Sequence, residues 1–107
     1  MNCRVLFTDT AKRDLREIAL HLADLTQDRN TAIRFVRKLQ EHTRILEQLP
    51  ESGGIPRDRV LKSSGYRFLV YKDYLMFYQY HKEESTAYIM AVFHGKRDYV
   101  RVMRKYF

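Results

Sequence analysis

The sequence predicts one α+β domain, spanning residues 1–107, in which an antiparallel helical hairpin packs on a mainly antiparallel four-stranded sheet. Two observations carry this prediction. Three runs rich in β-branched and aromatic residues follow one another late in the chain, at Tyr66 to Tyr71, Tyr74 to Tyr80 and Thr86 to His94. Two stretches with apolar residues at helical spacing precede them, and a short apolar run at Cys3 to Phe7 adds a strand. The length suits a single hydrophobic core.

The three late runs predict an antiparallel meander. Lys72-Asp73 separates the first two runs, and Asp73 is expected to take the left-handed conformation of a tight turn. Residues 81–85 are polar and separate the second run from the third. Since neither face of the alternating pattern is wholly polar, we expect one face to carry the core. The other face is expected to be a tyrosine-rich surface with Arg67 nearby.

The N-terminal run predicts a strand followed by a capped helix. Val5, Leu6 and Phe7 are adjacent apolar residues, which is typical of a strand buried on both faces. Thr8 or Asp9 then offers a side-chain oxygen as a helix cap. The lone cysteine, Cys3, is predicted to be a core residue.

Two apolar stripes predict the helices of the hairpin. The first consists of Leu15, Ile18, Ala19, Leu22 and Leu25. A polar break at residues 26–30 follows, with Asp28 or Asn30 as the second cap. The second helix is predicted to run to about residue 49, just before a proline, and its stripe consists of Ala32, Phe35, Val36, Leu39, Leu46 and Leu49.

The remaining segments are basic. Residues 55–64 are predicted to form an irregular connector. In residues 99–107, Tyr99, Val100, Met103 and Phe107 have helical spacing. This pattern predicts either a short basic helix or a segment that becomes ordered on contact with a partner.

The net charge of +7 is concentrated in the second half of the chain. Residues 1–56 contain 9 basic and 8 acidic side chains, whereas residues 57–107 contain 11 and 5. This asymmetry favours a polyanionic partner, either nucleic acid or an acidic protein. The alternative is a solvated basic surface without a partner.

Several function classes find no support in the sequence. One cysteine cannot form an internal disulfide, so a reducing, cytoplasmic location is predicted, and no membrane span or signal peptide is recognisable. The four histidines, at positions 21, 42, 81 and 94, lack metal-ligand spacing, and no phosphate-binding glycine motif occurs. We therefore expect no metal and no cofactor.

Metal-free cleavage of RNA is chemically possible for the residues present. The 2′-hydroxyl would attack the adjacent phosphate, so the site must neutralise phosphoryl charge and transfer protons. Arg67, Lys96 and Arg97 are candidates for the charge, and His94, Tyr99 and Tyr106 for proton transfer or base stacking. For each residue, a purely structural role is equally compatible with the sequence.

The candidate target-binding residues are basic side chains in the second half of the chain. We expect Arg67, Lys96 and Arg97 to lie near one end of the sheet and to dominate binding. The full set is Arg57, Arg59, Lys62, Arg67, Lys96, Arg97, Arg101 and Arg104.

The whole chain resembles the RelE/ParE superfamily of toxins from bacterial type II toxin–antitoxin modules. The resemblance begins with TDTAKRDLREIALHLA at residues 8–23, which has the pattern Thr/Ser-x-x-Ala-x-x-Asp-Leu-x-x-Ile. It continues with LEQLPESG at 46–53, GYRFLV at 65–70, YLMFYQY at 74–80 and VFHGKRD at 92–98. The order and spacing of these motifs make the match specific. The resemblance implies a cognate acidic antitoxin as partner.

The superfamily contains two mechanistic classes. RelE-like members cut mRNA on the ribosome without metal. In them, an arginine near the start of the middle strand of the meander helps hold the scissile phosphate. Leu75 occupies the matching position in this chain. Lys96 and Arg97 match a basic segment of the nucleases, but a tyrosine used by them would fall near Met103, with Tyr99 and Tyr106 flanking that position, so the nuclease set is partial. The resemblance therefore favours the ParE-like class, which inhibits DNA gyrase. The alternatives are a RelE-like endoribonuclease and a non-toxic module that binds antitoxin or nucleic acid.

Overall fold

The computed structural model describes residues 2–107 and has the predicted α+β architecture. A four-stranded sheet has the strand order β1-β4-β3-β2, in which β1 pairs with β4 in parallel and the other pairs are antiparallel. The strands are β1 (Arg4–Phe7), β2 (Tyr66–Tyr71), β3 (Tyr74–His81) and β4 (Thr86–His94). The helices are α1 (Asp9–Thr26), α2 (Arg29–His42), α3 (Arg59–Ser63) and α4 (Tyr99–Met103), and 3-10 turns follow α2, β3 and α4.

The predicted caps begin both helices of the hairpin. The Thr8 hydroxyl accepts a hydrogen bond from the Ala11 amide at 3.2 Å and donates one to the Ile89 carbonyl at 3.0 Å, so it also joins α1 to β4. The Asp28 carboxylate accepts from the Asn30 amide at 3.0 Å. These contacts set the start of each helix and leave α1 lying over β4 and α2 over β3 and β2.

Both faces of the sheet carry a hydrophobic cluster. The hairpin covers the first face, where Leu15, Leu39, Met76 and Ile89 belong to one buried cluster. The short helices α3 and α4 cover the second face, where Leu61 and Met103 pack with Tyr66, Phe77 and Phe93. The prediction of an open, tyrosine-rich second face is therefore wrong, because the segments flanking the meander fold back over it.

Four further details differ from the sequence prediction. The strand β1 lies at the sheet edge and Leu6 is 41% exposed, so β1 is not buried on both faces. The helix α2 ends at His42 and continues as a 3-10 turn over Thr43–Glu47, because the Thr43 hydroxyl donates to the Gln40 carbonyl at 2.6 Å. Part of the predicted irregular connector is helical, since Asp58 caps α3. The left-handed residue of the β2–β3 turn is Lys72, at φ 53°, rather than Asp73.

Candidate target-binding surfaces

The sheet register separates Arg67 from the other predicted site residues. Arg67 pairs with Tyr78 on β3, whereas His94, at the end of β4, pairs with Tyr74. Four residues along a strand correspond to roughly 13 Å. The prediction that Arg67 lies with Lys96 and Arg97 at one end of the sheet is therefore wrong. Strand pairing could not be derived in enough detail from the sequence to detect this separation.

Arg67 is instead bound to the loop that follows the hairpin. It shares a sheet face with buried Leu69, and its side chain is only 27% exposed. One guanidinium nitrogen donates to the Gly53 carbonyl at 3.1 Å, and the other lies 3.9 Å from the Glu51 carboxylate. This geometry gives Arg67 a structural role in fixing the loop.

Tyr78 completes the attachment of the same loop, although nothing in the sequence singled it out. Its buried hydroxyl donates to the Pro50 carbonyl at 2.8 Å and accepts from the Gly53 amide at 3.0 Å. A Cβ atom at Gly53 would lie 2.6 Å from the Tyr78 ring, so only glycine fits there. Burial raises the pKa of the Tyr78 phenol, and the phenol remains neutral.

The end of β4 places His94, Lys96 and Arg97 in one turn. The His94 ring accepts a hydrogen bond at Nδ1 from the Lys96 amide, at 3.1 Å, and packs edge-on against Tyr74 with 5.3 Å between ring centroids. Its Nε2 is then the protonated nitrogen of the neutral ring. The Lys96 and Arg97 side chains are exposed, and Arg97 lines a cleft that His94 shares with Asp14 of α1. The three candidate residues are neighbours in the chain, and their joint role in a site stays a prediction.

Tyr106 and Asp14 satisfy the part of the β4 edge that β1 leaves unpaired. The strand β1 ends opposite Ile89. Beyond that point the Tyr106 hydroxyl donates to the Met90 carbonyl at 2.8 Å, and the Asp14 carboxylate accepts from the Val92 amide at 2.9 Å. Burial raises the pKa of the Asp14 carboxyl and that of the Tyr106 phenol. Both side chains therefore have structural roles, and Tyr106 is poorly suited to act as a base.

Sequence reasoning missed Asp14, although a signal was present. Asp14 stands three residues after buried Ala11 and four residues before buried Ile18, so it borders the apolar stripe of α1. A carboxylate in that position requires a hydrogen-bond donor from the neighbouring sheet.

Tyr99 lies on the second face of the sheet, and its contacts differ from those of Tyr106. Its ring stacks on Phe77 with 5.7 Å between centroids, and its hydroxyl accepts from the Asp58 amide at 3.2 Å. Because Asp58 caps α3, Tyr99 connects the start of α4 to the start of α3.

Leu75 lies beside Tyr99 in an apolar groove of about 350 Å³. Arg57 is the one charged residue among those that line it. We call it the apolar groove; its lining consists of Ile55, Pro56, Arg57, Phe68, Leu75, Phe77 and Tyr99. The arrangement can hold an apolar side chain of a partner, with a cation in the lining.

The other predicted basic residues are exposed on the covering segments of the second face. Arg59 and Lys62 project from α3, and Arg101 and Arg104 from α4 and the turn after it. Since Leu61 and Met103 share one buried cluster, the two helices lie over the same face of the sheet. These cations thus lie on segments that cover the second face, whereas Arg67 lies on the first face with Leu69.

Neither a metal site nor a membrane helix is found in the described part of the chain. Within residues 2–107, no three His, Cys, Asp or Glu side chains come together closely enough to share a metal ion. The helices of the same residues include none with the length and apolarity to cross a membrane.

Comparison with known proteins identifies relatives of the whole domain. The chain is similar to a chain of the chromosomal ParDE toxin–antitoxin system from P. aeruginosa, at 19% identity, over 86% of this chain and 95% of that one, with a TM-score of 0.71. It is similar to a chain of the RelBE2 toxin–antitoxin complex from Mycobacterium tuberculosis, at 22% identity over 88% and 92%, with a TM-score of 0.64. The isolated E. coli RelE toxin gives 14% identity over 98% and 99%, with a TM-score of 0.53.

These structural similarities establish the shared fold, and the sequence itself establishes the family. A comparison with curated proteins finds no match. The family model described as "ParE toxin of type II toxin-antitoxin system, parDE" matches residues 5–99, which include the hairpin, the sheet and the Gly-Lys-Arg turn. The chain therefore belongs to the ParE toxin family of type II toxin–antitoxin systems.

Proposed function

We propose that this toxin stops growth by binding DNA gyrase, and that the apolar groove is its main contact surface. The observation that carries the proposal is the position of Leu75. The resemblance to RelE-like nucleases implies a phosphate-binding arginine there, and Leu75 instead packs among aromatic side chains in the groove. A leucine offers no charge to a phosphoryl transition state.

The other nuclease candidates support the same proposal. Arg67 is bound to the Gly53 carbonyl, and the Tyr106 hydroxyl is bound to the Met90 carbonyl. Both groups are engaged in holding the fold together. Lys96 and Arg97 remain accessible, and the sheet register described above separates them from Arg67.

The apolar groove has the character of a protein-binding site. Energetically dominant contacts between proteins are formed by aromatic and arginine side chains in well-packed apolar pockets. Here Leu75, Tyr99 and the cationic Arg57 line the pocket, and Ile55, which also lines it, is 53% exposed. An apolar side chain of the target would fill this pocket and place its polar neighbours near Arg57.

A RelE-like, metal-independent endoribonuclease is the second candidate function. Its specific support is that Arg57 and Tyr99 flank Leu75 in one groove, so a cation and a phenol stand near the position that holds phosphate in that class. In this alternative Arg57 would replace the missing arginine.

Two assays on purified toxin distinguish these functions. We expect the toxin to inhibit supercoiling of relaxed plasmid by DNA gyrase and to leave ribosome-bound mRNA intact in primer extension. Codon-linked cuts that depend on the ribosome, together with unaffected supercoiling, would replace the first proposal by the second. Activity in neither assay would favour a non-toxic binding module.

We also infer that the protein is held inactive by an acidic antitoxin in the cytoplasm, where both candidate targets reside. Support comes from the charge of residues 57–107, with 11 basic and 5 acidic side chains, and from family membership. Co-expression with the adjacent small gene is expected to yield a complex that survives purification at low salt. Separation of the two proteins under those conditions would contradict the inference.

A further inference from the structure

A second groove lies between α1 and the C-terminal segment, and its chemistry differs from that of the apolar groove. It encloses about 390 Å³, and six of its ten lining residues are charged. Four of these are cations: Arg13, Arg97, Arg101 and Lys105. We call it the basic groove. It shares no lining residue with the apolar groove.

The cations come from two segments of the chain. Arg101 and Lys105 lie four residues apart on α4 and the 3-10 turn that follows it, and Arg97 lies in the turn before α4. All three line the groove. Arg13 faces them from α1 across the groove.

These cations are available to a ligand. All four are exposed, and within residues 2–107 no carboxylate oxygen comes within 4.0 Å of their charged nitrogens. Asp14 and Glu17 also line the groove and, like Arg97, the neighbouring cleft beside His94, so the lining of four cations and two carboxylates keeps a formal charge of +2. Asp14 is already engaged by the Val92 amide.

We propose that the basic groove binds the phosphodiester backbone of a nucleic acid. Four unpaired cations in one groove match a ligand with closely repeated negative charge, and interfaces with nucleic acids are more polar and more positive than those between proteins. An acidic protein segment is less well matched, because protein interfaces concentrate their energy in aromatic and apolar pockets. That description fits the apolar groove.

Backbone binding by this groove does not depend on which target the toxin inhibits. It would let the protein contact DNA or RNA that is already bound to the target, while the apolar groove contacts protein. The two surfaces can therefore be tested separately with variants of one and not the other.

The test is fluorescence anisotropy with labelled oligonucleotides of about 20 nucleotides, as duplex DNA, single-stranded DNA and single-stranded RNA, across a salt series. The full-length toxin is compared with the triple variant Arg97→Ala, Arg101→Ala, Lys105→Ala. The matched control is Arg34→Ala, Arg37→Ala, Lys38→Ala, which removes the same charge from exposed positions on α2.

We expect the groove variant to lose affinity about tenfold or more, and the slope of log K against log salt to fall by about 2 to 3, as for three lost phosphate contacts. The control should lose no more than about threefold. The oligonucleotide bound most tightly identifies the source of the backbone. Should the groove variant fail to fold, Arg101→Gln with Lys105→Gln gives the same comparison with a smaller slope change.

Three results would overturn the proposal. The first is no binding of any oligonucleotide to the wild-type protein at low salt. The second is an equal loss in the groove and control variants, which would attribute binding to net charge alone. The third is competition by polyglutamate as effective as that by unlabelled oligonucleotide, which would assign the groove to an acidic protein segment.

Discussion

Replacing Arg67 with alanine tests whether this residue acts in stability or in target binding. The change removes the 3.1 Å hydrogen bond to the Gly53 carbonyl and the 3.9 Å contact with Glu51. A hydrogen bond from a charged group contributes about 1.5–3 kcal/mol, whereas a contact with an exposed carboxylate contributes about 0–1 kcal/mol. Because the side chain is 27% exposed, we reduce this contribution for solvent screening to about 1–2 kcal/mol.

This loss is large enough to measure by thermal and urea unfolding. For a domain of this size, 1–2 kcal/mol corresponds to a decrease in Tm of roughly 5–12 °C. The matched control is Arg59→Ala, an exposed arginine on α3, which should change the unfolding free energy by less than about 0.5 kcal/mol. Growth arrest by folded Arg67→Ala protein should persist, since Arg67 faces the loop rather than a partner.

The opposite pattern would refute this reasoning. If Arg67→Ala leaves the Tm within about 1 °C of wild type and abolishes growth arrest, Arg67 belongs to the target-binding surface. The loop contacts would then contribute nothing measurable.

Two further predictions concern the core and the edge of β4. Leu39→Ala, at a side chain with no exposed surface, should lower the unfolding free energy by about 2–5 kcal/mol. Leu20→Ala, at a side chain that is 65% exposed, should lower it by less than about 0.5 kcal/mol. Similar losses for the two variants in urea unfolding would contradict the assigned helix faces. Burial raises the pKa of Asp14 above 3.8, so the folded chain retains this proton to higher pH than the unfolded chain. The contribution of this carboxyl to the unfolding free energy therefore falls as the pH rises from the unfolded-state pKa through the folded-state pKa. Asp14→Asn should remove that fall, and an unchanged pH profile would show that Asp14 is not perturbed.

The fold was largely predictable because local patterns specify it. The bounds of β2 and β4 agree with the predicted runs, since alternating aromatic and β-branched residues end at clear turn residues. Thr8 and Asp28 were recognisable as caps because their side chains bond locally to the backbone.

The site was less predictable because it depends on contacts between distant segments. Tyr106 and Arg67 are polar side chains with sequence contexts compatible with catalysis, yet both bind backbone carbonyls, 16 and 14 residues away respectively. Their partners depend on strand register and on how the tail folds back over the sheet. Leu75 could be identified as a departure from the nuclease pattern, but its place in a groove with Tyr99 required the three-dimensional structure.

The most direct test of the central claim is gyrase supercoiling measured against increasing toxin concentration, for wild type and Leu75→Arg. The matched control is Leu20→Arg, the same change at an exposed position on α1. We expect wild type and control to inhibit alike. Leu75→Arg should raise the half-inhibitory concentration about thirtyfold, as for a hot-spot loss of about 2 kcal/mol. Inhibition by Leu75→Arg equal to wild type, or none by wild type, would contradict the proposed gyrase-binding groove.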